Sequence, residues 1–234
     1  MDSLKVKLLN FFSEIKFEEE SHTYTLGNKK LPSVSKLIEH FVDKPDFDAL
    51  CGTKAAKLGI PKAELQAQWD ETTRVALEQG NKTHNYAENI ENRNPKAKIE
   101  EAVLNFWRTV PPYYNRVVRE LRMYHKRYMF SGTCDFILFN ERTNTFIIGD
   151  YKTNKNLHKN FRDKRLKYPF FHLQDSPINK YQLQLSFYQI LLEQFGIPVS
   201  ERWVIWVDQS GNFQRFITHD YTPELTDYLN TTLQ

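Results

Sequence analysis

The stretch GTCDFILFNERTNTFIIGDYKT, residues 132–153, decides how the chain is read. It predicts two short strands joined by a polar turn. Apolar residues dominate both arms, and NERTN (140–144) supplies the turn chemistry. Phe146, Ile147 and Ile148 form a continuous apolar run, as a strand buried on both faces requires. Each arm nevertheless carries an acid, Asp135 in the first and Asp150 at the end of the second. Lys152 follows two residues later.

A loop over residues 141–144 makes Asn140 face Thr145. Counting outward then sets Asp135 directly opposite Asp150, where Cβ atoms lie roughly 5 Å apart. Strand side chains alternate, so Asp150 and Lys152 share a face. Two carboxylates and an ammonium therefore converge. A one-residue slip would break the arrangement unless a bulge restored it. Opposed carboxylates resist ionising together without a cation between them. Oxygen ligands favour Mg2+ or Mn2+ over zinc, and such an ion activates water and stabilises charge on a phosphate. The plainer alternative is a pair of strand-end acids salt-bridged to Lys152.

An Asp on one strand, then Asp-x-Lys after an apolar strand, resembles the PD-(D/E)XK nuclease superfamily. Asp150-Tyr151-Lys152-Thr153 matches the D-x-K-T form of its RecB-like branch. Upstream, Gly80-Asn-Lys-Thr-His84-Asn-Tyr-Ala-Glu88 resembles the branch's G-x-x-x-H-x-x-x-E helix; a solvated polar face is the alternative. On a helix, Glu88 and Glu91 share the face of Gly80 and His84. Downstream, Gln184-Leu185-Ser186-Phe187-Tyr188 resembles its Q-L-x-x-Y motif. The resemblance spans residues 80–188.

The resemblance implies an α/β fold, a restriction-endonuclease-like core with a central mixed β-sheet flanked by helices. It implies one nuclease domain over residues 1–234. Residues 1–75 would form a helical and hairpin side wall, a helical N-terminal extension, and residues 76–220 the catalytic core. Asp135, Asp150 and the carbonyl of Tyr151 would hold one Mg2+ or Mn2+, with His84 and Glu120 candidates for that ion or a second. Lys152 would orient or deprotonate the attacking water. Glu120 has an alternative, an exposed pairing with Arg119 or Arg122. Gln184 and Tyr188 would help position the DNA or the site's water, with Tyr181 a further expected DNA contact. Some relatives add a four-cysteine iron–sulfur cluster; this chain has only two cysteines, Cys51 and Cys134, so no cluster is expected.

The chain is nearest in pattern to compact phage and mitochondrial single-strand exonucleases. The expected activity is metal-dependent DNA exonuclease action on single strands or ends, in replication, recombination or repair. A single-strand-binding or recombination protein is the partner this class implies. Two alternatives are a structure-specific or restriction-type endonuclease of the same superfamily and an idle nucleic-acid-binding module. The complete Asp/Asp/Lys set argues against the idle module.

Net charge is +3, yet residues 154–167 carry six basic residues against Asp163 alone, or +5. Lys155, Arg162, Lys164, Arg165 and Lys167 are the expected phosphate contacts, and Phe170 the expected stacking ring, with Phe161, Tyr168 and Phe171 nearby. This reads as a loop that orders on DNA; a mobile solvated loop is the alternative. Unpaired cysteines suit a reducing, cytoplasmic setting. The charged N-terminus reads as neither signal peptide nor membrane span.

Elsewhere, residues 4–16 predict a helix and 17–31 a hairpin turning at Gly27-Asn28. Ser33 or Ser35 caps a helix to Phe41, and residues 46–58 form another, ended by Gly59. A long helix over 61–90 contains Gly80, which predicts close approach of another backbone or a ligand. Residues 99–109 are helical and 117–123 a strand. Residues 180–195 form a helix with Leu183, Phe187, Ile190 and Leu191 on its core stripe. Residues 202–207 and 212–218 are strands, and Thr222 starts a final helix.

Overall fold

The turn fixes the register that organises the sheet. In a computed structural model, which describes residues 2–90, 93–160 and 163–232, Asn140 pairs with Thr145 and Phe136 with Gly149. Asn144 takes the left-handed conformation (φ 54°) that such a turn requires.

The chain begins with α1 (Asp2–Phe11), then β1 (Ile15–Glu18), β2 (Thr23–Leu26) and β3 (Lys29–Leu31). These three strands form a small antiparallel sheet, with Gly27-Asn28 turning β2 into β3. The expected helix over 4–16 therefore ends early, because Ile15 enters a strand. Next come α2 (Val34–Ile38), a 3-10 turn (Glu39–Phe41), α3 (Phe47–Leu58), α4 (Lys62–Glu88) and α5 (Lys98–Thr109). Ser33 caps α2 by accepting from the Lys36 N–H, and Gly59 ends α3 in a left-handed conformation (φ 68°).

The main sheet contains β4 (Tyr114–His125), β5 (Phe130–Asn140), β6 (Thr145–Lys152), β7 (Val199–Val207) and β8 (Phe213–Ile217), in that spatial order. All neighbours are antiparallel except β6 and β7, which run parallel and are linked by the crossover helix α6 (Pro177–Glu193). The architecture is α/β, a mixed five-stranded sheet flanked by helices, closed by α7 (Thr222–Thr232).

Alternation along β5 and β6 separates two cores. Ile137, Phe146 and Ile148 face one cluster with Leu183, Phe187 and Leu191 of α6. Phe136, Leu138 and Ile147 face the other, with Val103 and Phe106 of α5. The central strands are thus apolar on both faces, as their continuous runs require. α6 is buried more widely than one stripe, through Leu185, Tyr188 and Leu192 as well.

The small sheet, α1, α2 and the 3-10 turn contribute Leu8, Tyr24, Leu31, Val34 and Phe41 to the main core. Two expectations need correction. A Cβ at Gly80 would meet nothing within 4 Å, so among the described residues no other backbone packs against it. The basic segment is already packed, because Leu157, Leu166 and Phe170 are buried in the same core. Phe170 is fully buried against Phe41, with ring centroids 4.9 Å apart, so it is not free to stack on a base. Apolar burial outweighs the solvation of the charges around it.

Candidate active site

Three neighbouring strands bring acids together. Extending the ladder one step past Phe136–Gly149 sets Asp135 on β5 opposite Asp150 on β6. On the other side, Glu120 falls between the pairs Arg119–Phe136 and Leu121–Cys134, so it stands across from Asp135. Glu120 has φ 51°, a left-handed conformation rare for such a residue and costing about 1–3 kcal/mol. Its carboxylate Oε1 lies 3.8 Å from His84 Nδ1.

His84 comes from the last turns of α4, and its Nδ1 lies 3.1 Å from Asp135 Oδ2. The Asp135 charge pushes the imidazole pKa well above its ordinary range, outweighing burial. Arg119 holds α4 in place by donating to the carbonyl of Glu88 at 2.5 Å. Asp135 also accepts the backbone N–H of Tyr151 at 2.7 Å.

Asp150 and Asp135 are both buried. Burial, and then the Asp135 charge, push the Asp150 carboxyl up to about 7. Asp150 Oδ2 meets the Lys152 ammonium, which also lies 4.4 Å over the ring of Tyr181. Burial lowers the Lys152 pKa most, but Asp150, Tyr181 and Asp135 together offset it and the net shift is upward.

His84, Glu120 and Asp135 each offer one ligand atom, all within 4.8 Å of one another. Among the described residues this set could hold a divalent cation, with Asp150 engaged by Lys152 beside it. Crowded carboxylates leave a negative charge that such a cation balances. One imidazole with carboxylates suits Mn2+ as well as Mg2+.

These residues line a cleft of about 660 Å3. Gln184 and Tyr188 of α6 form its far wall, the Gln184 amide donating to the Tyr188 hydroxyl at 2.7 Å. Gly132 makes room for that wall: a Cβ there would lie 2.6 Å from Tyr188 Cε1. Tyr181 stands at the edge, its hydroxyl donating to Asn154 Oδ1 at 2.6 Å.

The basic segment divides. Lys155 is exposed, and Lys164 is half-buried beside the neighbouring cavity. Lys167 pairs with Asp43 at 3.0 Å, and Arg165 donates to the carbonyl of His172 at 2.8 Å. Arg162, Phe161 and Glu91 lie outside the described residues. The exposed rings are Tyr168 and Phe171.

Sequence reasoning missed the N-terminal contribution. Tyr24 and Ser35 line the cleft, and the Tyr24 hydroxyl lies 2.7 Å from Thr133 Oγ1 across 109 residues of chain. No local pattern marks such a pairing. Among the described residues no helix is long and apolar enough to cross a membrane. A scan of the sequence against protein-family models finds no match, and neither does a search of curated proteins.

Proposed function

We propose that this chain is a metal-dependent DNA exonuclease of the PD-(D/E)XK superfamily, RecB-like branch, with a restriction-endonuclease-like core, acting on single strands or ends. One observation carries the reading: His84, Glu120, Asp135, Asp150 and Lys152 converge from one helix and three adjacent strands in one cleft. The Asp-x-Lys strand end, the upstream histidine helix and the Gln184/Tyr188 helix stand around it in the order the superfamily pattern asks for.

His84, Glu120 and Asp135 would hold Mg2+ or Mn2+, which when bound polarises a phosphodiester and makes water a better nucleophile. Ligation through His84 Nδ1 would need that nitrogen unprotonated. The Lys152 ammonium, fixed by Asp150 and Tyr181, donates to a non-bridging phosphate oxygen and steadies the charge that builds there. Gln184 and Tyr188, tied to each other, offer a preoriented polar edge to the strand.

The test is digestion of linear and circular single-stranded DNA with EDTA, then with Mg2+ or Mn2+ restored. Metal-dependent loss of the linear strand alone is expected. Full activity in EDTA would end the metal mechanism, and equal cutting of the circle would make the enzyme an endonuclease.

A further inference from the structure

A second cavity, of about 1090 Å3, adjoins the cleft, and Ser35 and Gln184 line both. Its walls are apolar: Ile38, Val42, Pro45 and Leu50 from the α2–α3 segment, with Tyr181 from α6. The volume is at the upper end for a small-ligand pocket. Phe47 stands at its edge, 65% exposed, an open ring with apolar surface beneath.

The acids around this cavity do not repel an anion strongly, because each is engaged. Glu39 pairs with Lys36 and Lys44, Asp43 with Lys167, and Asp175 with Lys180. Asp46 accepts the Ala49 N–H as the cap of α3. Lys164, also on the wall, has no carboxylate partner among the described residues. The result is an apolar chamber with an electrically balanced rim and one spare cation, beside a site for a phosphate. A group that is planar, apolar on its faces and covalently joined to that phosphate fits both halves at once.

We propose that this cavity receives an unpaired nucleobase of the substrate strand next to the phosphate held in the acidic cleft. The inference rests on the nuclease reading and supplies its substrate preference. In a duplex each base is stacked and paired, and pulling one out costs a few kcal/mol. A single strand offers its bases freely, so a chamber of this kind selects unpaired DNA. Phe47 at the mouth is the stacking surface, and Lys164 meets the next phosphate.

The experiment uses single-stranded DNA oligonucleotides with one abasic nucleotide stepped along the sequence. Wild type is compared with Leu50→Trp, which fills the chamber, and Phe47→Ala, which removes the exposed ring. At one abasic position wild type should show a KM raised about tenfold. In Leu50→Trp the intact oligonucleotide should show that raised KM, and the abasic change should add less than about twofold. Phe47 is exposed, so Phe47→Ala keeps its fold and carries the test if Leu50→Trp does not.

The proposal is overturned if no abasic position matters, or if the abasic penalty is the same in the variants. A variant that changes only the oligomeric state in light scattering assigns the cavity to a second copy of the chain and also overturns it. Fluorescence anisotropy in EDTA reads the same comparison without cleavage. Cavity-dependent binding with no cleavage after metal is restored would sink the nuclease reading and keep this site. Cleavage without cavity dependence does the reverse, and neither binding nor cleavage sinks both.

Discussion

The fully buried ring of Phe136 lies over Gly149, its partner across the β5–β6 ladder, and fills the space a side chain there would need. Gly149 directly precedes Asp150, so this contact lies next to the point where the two acids meet. Gly149→Ala would put a Cβ inside the ring. Phe136 is walled in by Phe106, Trp107 and Tyr151 and has nowhere to go. A loss of about 1–3 kcal/mol or more is expected, read as a lower melting temperature. A variant as stable as wild type would mean the ring is not fixed.

Removing charge from the cleft should affect turnover far more than stability. Asp135→Asn keeps an acceptor for the Tyr151 N–H but loses the charge that draws His84. It also relieves the repulsion that raises Asp150. Turnover should fall at least about 100-fold, with the melting temperature held or raised. Lys152→Ala should lose turnover to a similar degree. Near-normal turnover in either variant removes that residue from the chemistry.

Within residues 163–172 three aromatic rings have different roles. Phe170→Ala opens a core cavity beside Phe41 and Tyr221 and should cost about 3–5 kcal/mol of stability. Tyr168→Ala and Phe171→Ala touch exposed rings and should leave stability unchanged within about 0.5 kcal/mol. They should weaken DNA binding by about 1–3 kcal/mol per stacked base, with the salt dependence unchanged. Replacing Lys164, Arg165 and Lys167 together by Ala should instead flatten the salt dependence. A triple variant with wild-type affinity and slope would place the DNA elsewhere.

His125 links stability to pH outside the cleft. Burial first, and Arg127 second, hold its imidazole down at about 4. Its Nδ1 accepts the backbone N–H groups of Arg127 and Tyr128, both at 3.2 Å, and so favours the neutral ring. An unfolded histidine protonates near pH 6.5. The unfolded state therefore binds more protons between these values, and this contribution is present above about 6.5 and lost as pH falls toward about 4. His125→Asn keeps an acceptor without the titration. Its unfolding free energy should fall less steeply over that window, by about 1 kcal/mol after allowing for solvent screening. Identical pH profiles would show that His125 does not titrate in this way.

By itself the sequence determined the Asp135–Asp150 register, the apolar central strands, and the helices that carry His84 and Gln184. Each depends on near neighbours: a turn of known length, an alternation of period two, a helical repeat and a capping residue. Tertiary structure alone decided the rest. Phe170 reads as a free ring in its basic surroundings, yet Phe41 and Tyr221 bury it. Glu120 reads either as a site acid or as an exposed strand residue paired with Arg119 or Arg122, and its left-handed backbone sets it beside His84. Residues 17–31 read as one hairpin, yet with Ile15 and Lys16 they make a three-stranded sheet that brings Tyr24 to Thr133. In each case the deciding partner is remote in the chain, and burial against it outweighs what the local sequence prefers.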